Sequence, residues 1–166
     1  MQEFSLIDKY YPYFPIWVFV ELISFGDLTY LCEFYKEIYG EEIVDNKFMN
    51  LVRDLRNVSA HSNCLINKLQ VAVKGTPDKR ILDFVKNLKC MGRGSISNNL
   101  SKSFVYNFVV LLYVYDLIVT SKAVKMNRYK ELSELINNRM TKNKSYFAKN
   151  NIIKTQYIFI KKLLTN

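Results

Sequence analysis

The segment Leu55-Arg56-Asn57-Val58-Ser59-Ala60-His61-Ser62 holds the single histidine of the chain, five residues after an arginine and four after an asparagine. An imidazole titrates near neutral pH and can take or return a proton, and a guanidinium is a fixed cation whose planar fork donates two hydrogen bonds to one phosphate. RNA cleavage without a metal needs that pair: a base for the 2′-hydroxyl proton and a cation for the charge that develops on phosphorus. His61 is therefore the candidate general base, Arg56 the candidate phosphate ligand, and Asn57 the residue that would orient His61 or the phosphate. No metal is expected, because Cys32, Cys64 and Cys90 lie far apart and only one histidine is present to complete a ligand set. No cofactor is expected either. Gly92-Arg93-Gly94 lacks both the GxGxxG spacing and a Gly-Lys-Ser/Thr ending, and reads as a connector.

Something must hold these groups. Phe48, Leu51, Val52, Leu55 and Val58 follow the i, i+3, i+4, i+7 rule, and Asp45 or Asn46 stands where a helix cap is needed. At about 100° per residue, Asn57 and His61 share a face of that helix, whereas Arg56 and His61 diverge by about 140°. One helix focuses the pair poorly. Two copies packed across a two-fold axis would bring two arginines and two histidines into one cleft, so a composite site at a homodimer seam is expected.

The remaining pattern is helical. Pro15 can begin a helix running through Trp17, Phe19, Val20 and Ile23, and Asp27 stands where it could cap a second through Leu28, Leu31, Phe34, Tyr35 and Ile38, which Gly40 ends. A short helix is expected from about Pro77 to Lys89, a loop at Met91-Gly92-Arg93-Gly94-Ser95, and helices over 99–121, 128–139 and 152–164. Five glycines and three prolines are too few for a protein of many tight turns. The 166 residues, 49% hydrophobic, suit a single all-α domain, a helical bundle over 1–166. The apolar run Phe104–Thr120 is broken by Asn107 and Asp116 and studded with aromatic rings, which suits the central helix of a bundle better than a membrane span. Odd cysteine number and the absence of an apolar leader after Met1 point to a reducing, cytoplasmic setting with all three thiols buried. The run Tyr10-Tyr11-Pro12-Tyr13-Phe14 reads as core packing.

Charge is spread unevenly. The net charge is +9, yet residues 1–60 hold 10 acidic against 5 basic side chains and residues 61–166 hold 5 against 19. From Lys122 onward 11 Lys/Arg face only Glu131 and Glu134, with aromatic residues interleaved. Such a surface suits a phosphate-rich partner, and Lys68, Lys122, Lys125, Arg128, Lys130, Arg139, Lys142 and Lys144 are the candidate RNA contacts.

Arg56-Asn57-Val58-Ser59-Ala60-His61 resembles the arginine-to-histidine signature of HEPN-domain ribonucleases. Two longer blocks, Pro15-Ile16-Trp17-Val18-Phe19-Val20-Glu21 with Ser24-Phe25-Gly26-Asp27-Leu28, and Leu55-Arg56-Asn57 with Ala60-His61 and Asn67-Lys68, resemble the abortive-infection (Abi-like) family of bacterial phage-defence proteins over residues 13–70. Ser62 stands where a second histidine often follows, and Leu65-Ile66-Asn67-Lys68 where Leu-Trp-Asn-Arg is usual. The resemblance implies a HEPN-like helical fold, a homodimer or higher assembly, and metal-independent endoribonuclease activity leaving 2′,3′-cyclic phosphate ends. It also implies an RNA target and, in some relatives, a small structured RNA partner. Two other readings stand beside it, either one derived from a truncated or split family member: an RNA-binding protein in which residues 122–166 supply the contact surface and Arg56 and His61 only grip backbone phosphate, and an assembly module whose apolar first half docks another chain.

Overall fold

A computed structural model describes residues 2–61, 69–89 and 91–165. The chain is 73% helical, with no strand among the described residues, which makes the fold all-α as expected. The described residues fall into two compact units, 1–53 and 54–166, and the division runs through one helix. It also divides the charge: residues 1–53 carry 9 acidic and 4 basic side chains, and residues 54–166 carry 6 and 20.

The first unit contains α1 (Gln2–Tyr10), α2 (Ile16–Leu22), α3 (Phe25–Tyr39) and the first turns of α4 (Asn46–Ala60). Pro15 precedes α2, where its fixed φ suits a helix start. The cap of α3 is Ser24 and not Asp27. The Ser24 hydroxyl accepts from the Asp27 N–H at 3.1 Å while the Asp27 carboxylate accepts from the Ser24 N–H at 3.2 Å, a reciprocal pair that places Asp27 inside the first turn. Gly40 closes α3 in the left-handed region, φ +71, its N–H donating to the Lys36 carbonyl at 2.8 Å. The Asp45 carboxylate accepts from the Lys47 N–H at 2.9 Å and so starts α4. The side-chain amide of Asn46 donates to Glu33, tying α4 to α3.

Val18, Thr29, Val44, Phe48 and Met49 are buried. Phe34 and Ile38 are more than half exposed together with Tyr30, so this side of α3 carries apolar side chains on its surface. Tyr11 and Tyr13 are exposed as well, against the core packing expected of that run. They lie in the short turn between α1 and α2, whereas Tyr10 packs edge-on to Trp17, centroids 5.3 Å apart. Cys32 is half-buried, not enclosed, and its thiol pKa is raised by burial. Cys64 and Cys90 lie outside the described residues.

The second unit is built on α7 (Ser103–Ile118), which buries Val105, Tyr106, Val109, Val110, Leu112 and Val114. Around it stand α5 (Lys79–Asn87), α6 (Arg93–Leu100), α8 (Lys122–Glu134) and α9 (Asn151–Leu164). α6 is a departure from expectation: Gly92 is its cap, and Arg93, Gly94 and Ser95 form its first turn. Weak helix formers are held helical because Ile96, Asn99 and Leu100 are buried. The helix expected over 99–121 is thus two, α6 and α7, separated at Ser101-Lys102. There the backbone is used elsewhere, with the Ser103 N–H donating to the Val71 carbonyl at 2.7 Å and the Val73 N–H to the Ser101 carbonyl at 2.9 Å. α8 starts earlier than expected, capped by Ser121, and continues as a π-helical turn over Leu135–Arg139. A 3-10 turn, Lys144–Phe147, leads to α9. Leu112, Ile136, Ile160 and Leu164 close the core between α7, the π turn and α9. No helix among the described residues is long and apolar enough to cross a membrane.

Candidate functional site

Arg56, Asn57 and His61 sit on the last turns of α4 and the residue that follows it. Leu55 and Val58 are partly buried and orient the helix, leaving Arg56 and His61 exposed and Asn57 half-exposed. The helix is regular to its end, with the His61 N–H donating to the Asn57 carbonyl at 3.0 Å. The Ser59 hydroxyl donates back to the Leu55 carbonyl at 2.9 Å, using a side chain that would otherwise compete near the site.

The Arg56 guanidinium donates through Nη1 to the Asn57 side-chain oxygen at 3.1 Å. That bond leaves the remaining guanidinium N–H groups for a ligand and keeps the cation uncancelled, because the partner is a neutral amide. Asn57 therefore engages the arginine through its side chain and the histidine's backbone through its carbonyl. The site is open, basic and without an acidic partner on either functional group among the described residues.

The candidate RNA contacts are dispersed and unequal. Lys125 is held by Asp116, Nζ to Oδ1 2.7 Å, and also donates to the Asp116 carbonyl at 2.6 Å, pinning α8 to the end of α7. Arg128 pairs with Glu131 at 2.7 Å, and its guanidinium pKa is raised further by that hydrogen bond. Lys125 thus links two helices, whereas the Arg128 pair lies within α8. Lys122, Lys130, Arg139, Lys142 and Lys144 are exposed and make no ion pair among the described residues. Lys68 lies outside the described residues, as do Ser62 and the block Leu65-Ile66-Asn67-Lys68.

Sequence reasoning passed over a second feature. α9 buries Gln156 among Phe159, Ile160, Leu163 and Leu164, on the wall of an apolar cavity of about 630 Å³. The signal was in the spacing, since Gln156 falls on the stripe set by Ile153, Ile160 and Leu163. Among the described residues no three His, Cys, Asp or Glu side chains gather where a metal could be held.

Residues 2–67 match the family described as Abi-like protein. The matched stretch is less than half of the chain, but it takes in nearly all of the first unit and Arg56, Asn57 and His61. It supports the resemblance to the Abi family read from the Pro15–Leu28 and Leu55–Lys68 blocks. No curated protein and no solved structure matches the chain.

Proposed function

We propose that this chain is an abortive-infection phage-defence protein that cuts RNA without a metal. The observation that carries the reading is the coincidence of the Abi-like match with an exposed Arg56-Asn57-His61 site. In it, His61 takes the 2′-hydroxyl proton, the freed oxygen attacks the adjacent phosphorus, and the 5′-oxygen leaves with a proton returned from a general acid. Arg56 holds the non-bridging phosphate oxygens, and Asn57 fixes the guanidinium through the 3.1 Å bond.

The site is shared by two copies of α4 in this reading. Arg56 and His61 diverge by about 140° around one helix, and a two-fold partner would supply the histidine that faces each arginine. The 20 basic side chains against 6 acidic ones in residues 54–166 favour an RNA partner, whether target or small structured RNA. That same charge favours a second reading, an RNA-binding protein that does not cut.

End chemistry tests the first reading. A labelled RNA incubated with the protein in EDTA should yield 2′,3′-cyclic phosphate ends. Tight RNA binding without cleavage by the folded protein selects the second reading, and cleavage that requires a divalent metal overturns the mechanism.

A further inference from the structure

The second unit holds an apolar cavity of about 630 Å³ that uses none of Arg56, Asn57 and His61. Small-molecule sites span roughly 300–1,000 Å³, and this volume falls within that range. Its floor belongs to the core: Ile136 and Ile160 are buried, and Phe104, Phe108 and Tyr157 pack against them. Its mouth is apolar as well, with Met140 52% and Phe147 38% exposed. The π turn forms one side. The Met140 N–H donates to the Leu135 carbonyl, five residues back, at 3.0 Å, and the widened turn sets Ile136 on the floor with Arg139 and Met140 at the mouth.

Donors on the inner wall are engaged within the protein. The Tyr157 hydroxyl donates to the Ile136 carbonyl at 3.2 Å, the Thr141 hydroxyl to the Asn137 carbonyl at 2.7 Å, and the Gln156 amide to the Leu69 carbonyl. Charge is confined to the mouth and is of one sign. Arg139 on the π turn, Lys144 on the 3-10 turn and Lys154 on α9 line the cavity, are exposed, and make no ion pair among the described residues. No Asp or Glu is among the described residues that line it.

We propose that this cavity binds a single acyl chain with an anionic head, the chain over the apolar floor and the head at Arg139, Lys144 and Lys154. Burial of methylenes supplies the affinity, about fourfold for each one fully buried. The cations select the head by its sign, because a positive head would set like charges together. A nucleotide fits less well, since its base would carry polar groups against a wall whose donors are taken and would lose hydration there. The chain can belong to a free fatty acid or to an anionic phospholipid, since both present an acyl chain beside a negative head.

Calorimetric titration of the full chain with decanoate, hexanoate and decyltrimethylammonium, all below micellar concentrations, tests the proposal beside sedimentation with phosphatidylglycerol vesicles. Saturable binding of one decanoate per chain is expected, with hexanoate at least tenfold weaker and decyltrimethylammonium weaker than decanoate. Arg139→Ala/Lys144→Ala should weaken decanoate about tenfold. Lys74→Ala/Lys79→Ala removes the same charge from exposed residues outside the cavity and should leave decanoate binding unchanged. All four side chains are exposed, so both variants should fold as the wild type does. Vesicle binding with the same dependence and no decanoate binding assigns the chain to a phospholipid. No binding of either by the folded protein, equal affinity for decanoate and hexanoate or for the two head charges, or equal losses in both double variants overturns the proposal. The readout is binding alone, so its result is separate from any ribonuclease activity.

Discussion

Arg56 and Asn57 are joined by a hydrogen bond from guanidinium Nη1 to the side-chain oxygen at 3.1 Å, and Asn57 is also the residue whose carbonyl receives the His61 N–H. A neutral amide thus restrains the cation without cancelling it. Replacing Asn57 with alanine frees the guanidinium and should lower turnover roughly tenfold, the scale of a misplaced functional group. Asn57→Asp keeps an acceptor but adds an opposing charge, so it should raise KM for RNA more than the alanine variant does. Steady-state kinetics on a short RNA separates the two effects.

The free lysines should govern RNA affinity, and the paired ones should not. Lys122→Ala/Lys142→Ala removes two cations without ion-pair partners among the described residues and should reduce the slope of log affinity against log salt by about one per lost phosphate contact. Arg128→Ala removes a side chain already committed to Glu131 and should leave that slope nearly unchanged. Filter binding across a salt series decides it.

The fold of the second unit rests on the cluster of Leu112, Ile136, Ile160 and Leu164. Leu112→Ala should destabilise the protein by about 2–5 kcal/mol, because the atoms removed are buried and leave a void between α7 and α9. Urea unfolding followed by circular dichroism measures the change.

Cys32 provides a pH-dependent probe of the first unit. Burial disfavours the thiolate and raises the thiol pKa, so the reactive form is scarce at neutral pH and grows only as pH rises through the elevated value. In a Cys64→Ser/Cys90→Ser background, alkylation should be slower than that of an exposed cysteine peptide at neutral pH. Its rate should still be climbing at the pH where the peptide has levelled off.

Much of the architecture is written in local signals. Gly40 at a left-handed helix end, Asp45 before α4 and the apolar length of α7 each depend on nearby residues, and the structure repeats them. Sequence alone puts the start of α3 three residues late, at Asp27, because an aspartate suits a cap, and only its reciprocal bonding with Ser24 shows that it lies inside the first turn. α6 was hidden, since Gly94, Ser95, Ser97 and Asn98 are poor helix formers held in place by the burial of Ile96 and Leu100.

The candidate site divides along the same line. The helical placement of Arg56 and Asn57, with His61 just beyond the helix end, was legible because the apolar spacing of α4 sets it. The commitment of Lys125 to Asp116, nine residues away, was not, and neither was the Gln156 bond to Leu69 across 87 residues. Partners distant in sequence are set by packing, which periodicity does not report.

Metal-free cleavage of RNA by Arg56 and His61 is tested by one comparison. Wild type, Arg56→Ala and His61→Ala, each monodisperse and free of bound RNA, are incubated with RNA in EDTA. Both side chains are exposed, so the variants should fold as the wild type does. Wild type should cleave, and each variant should lose about 100-fold or more of that activity. Equal cleavage by all three proteins, or none by the folded wild type, would contradict it.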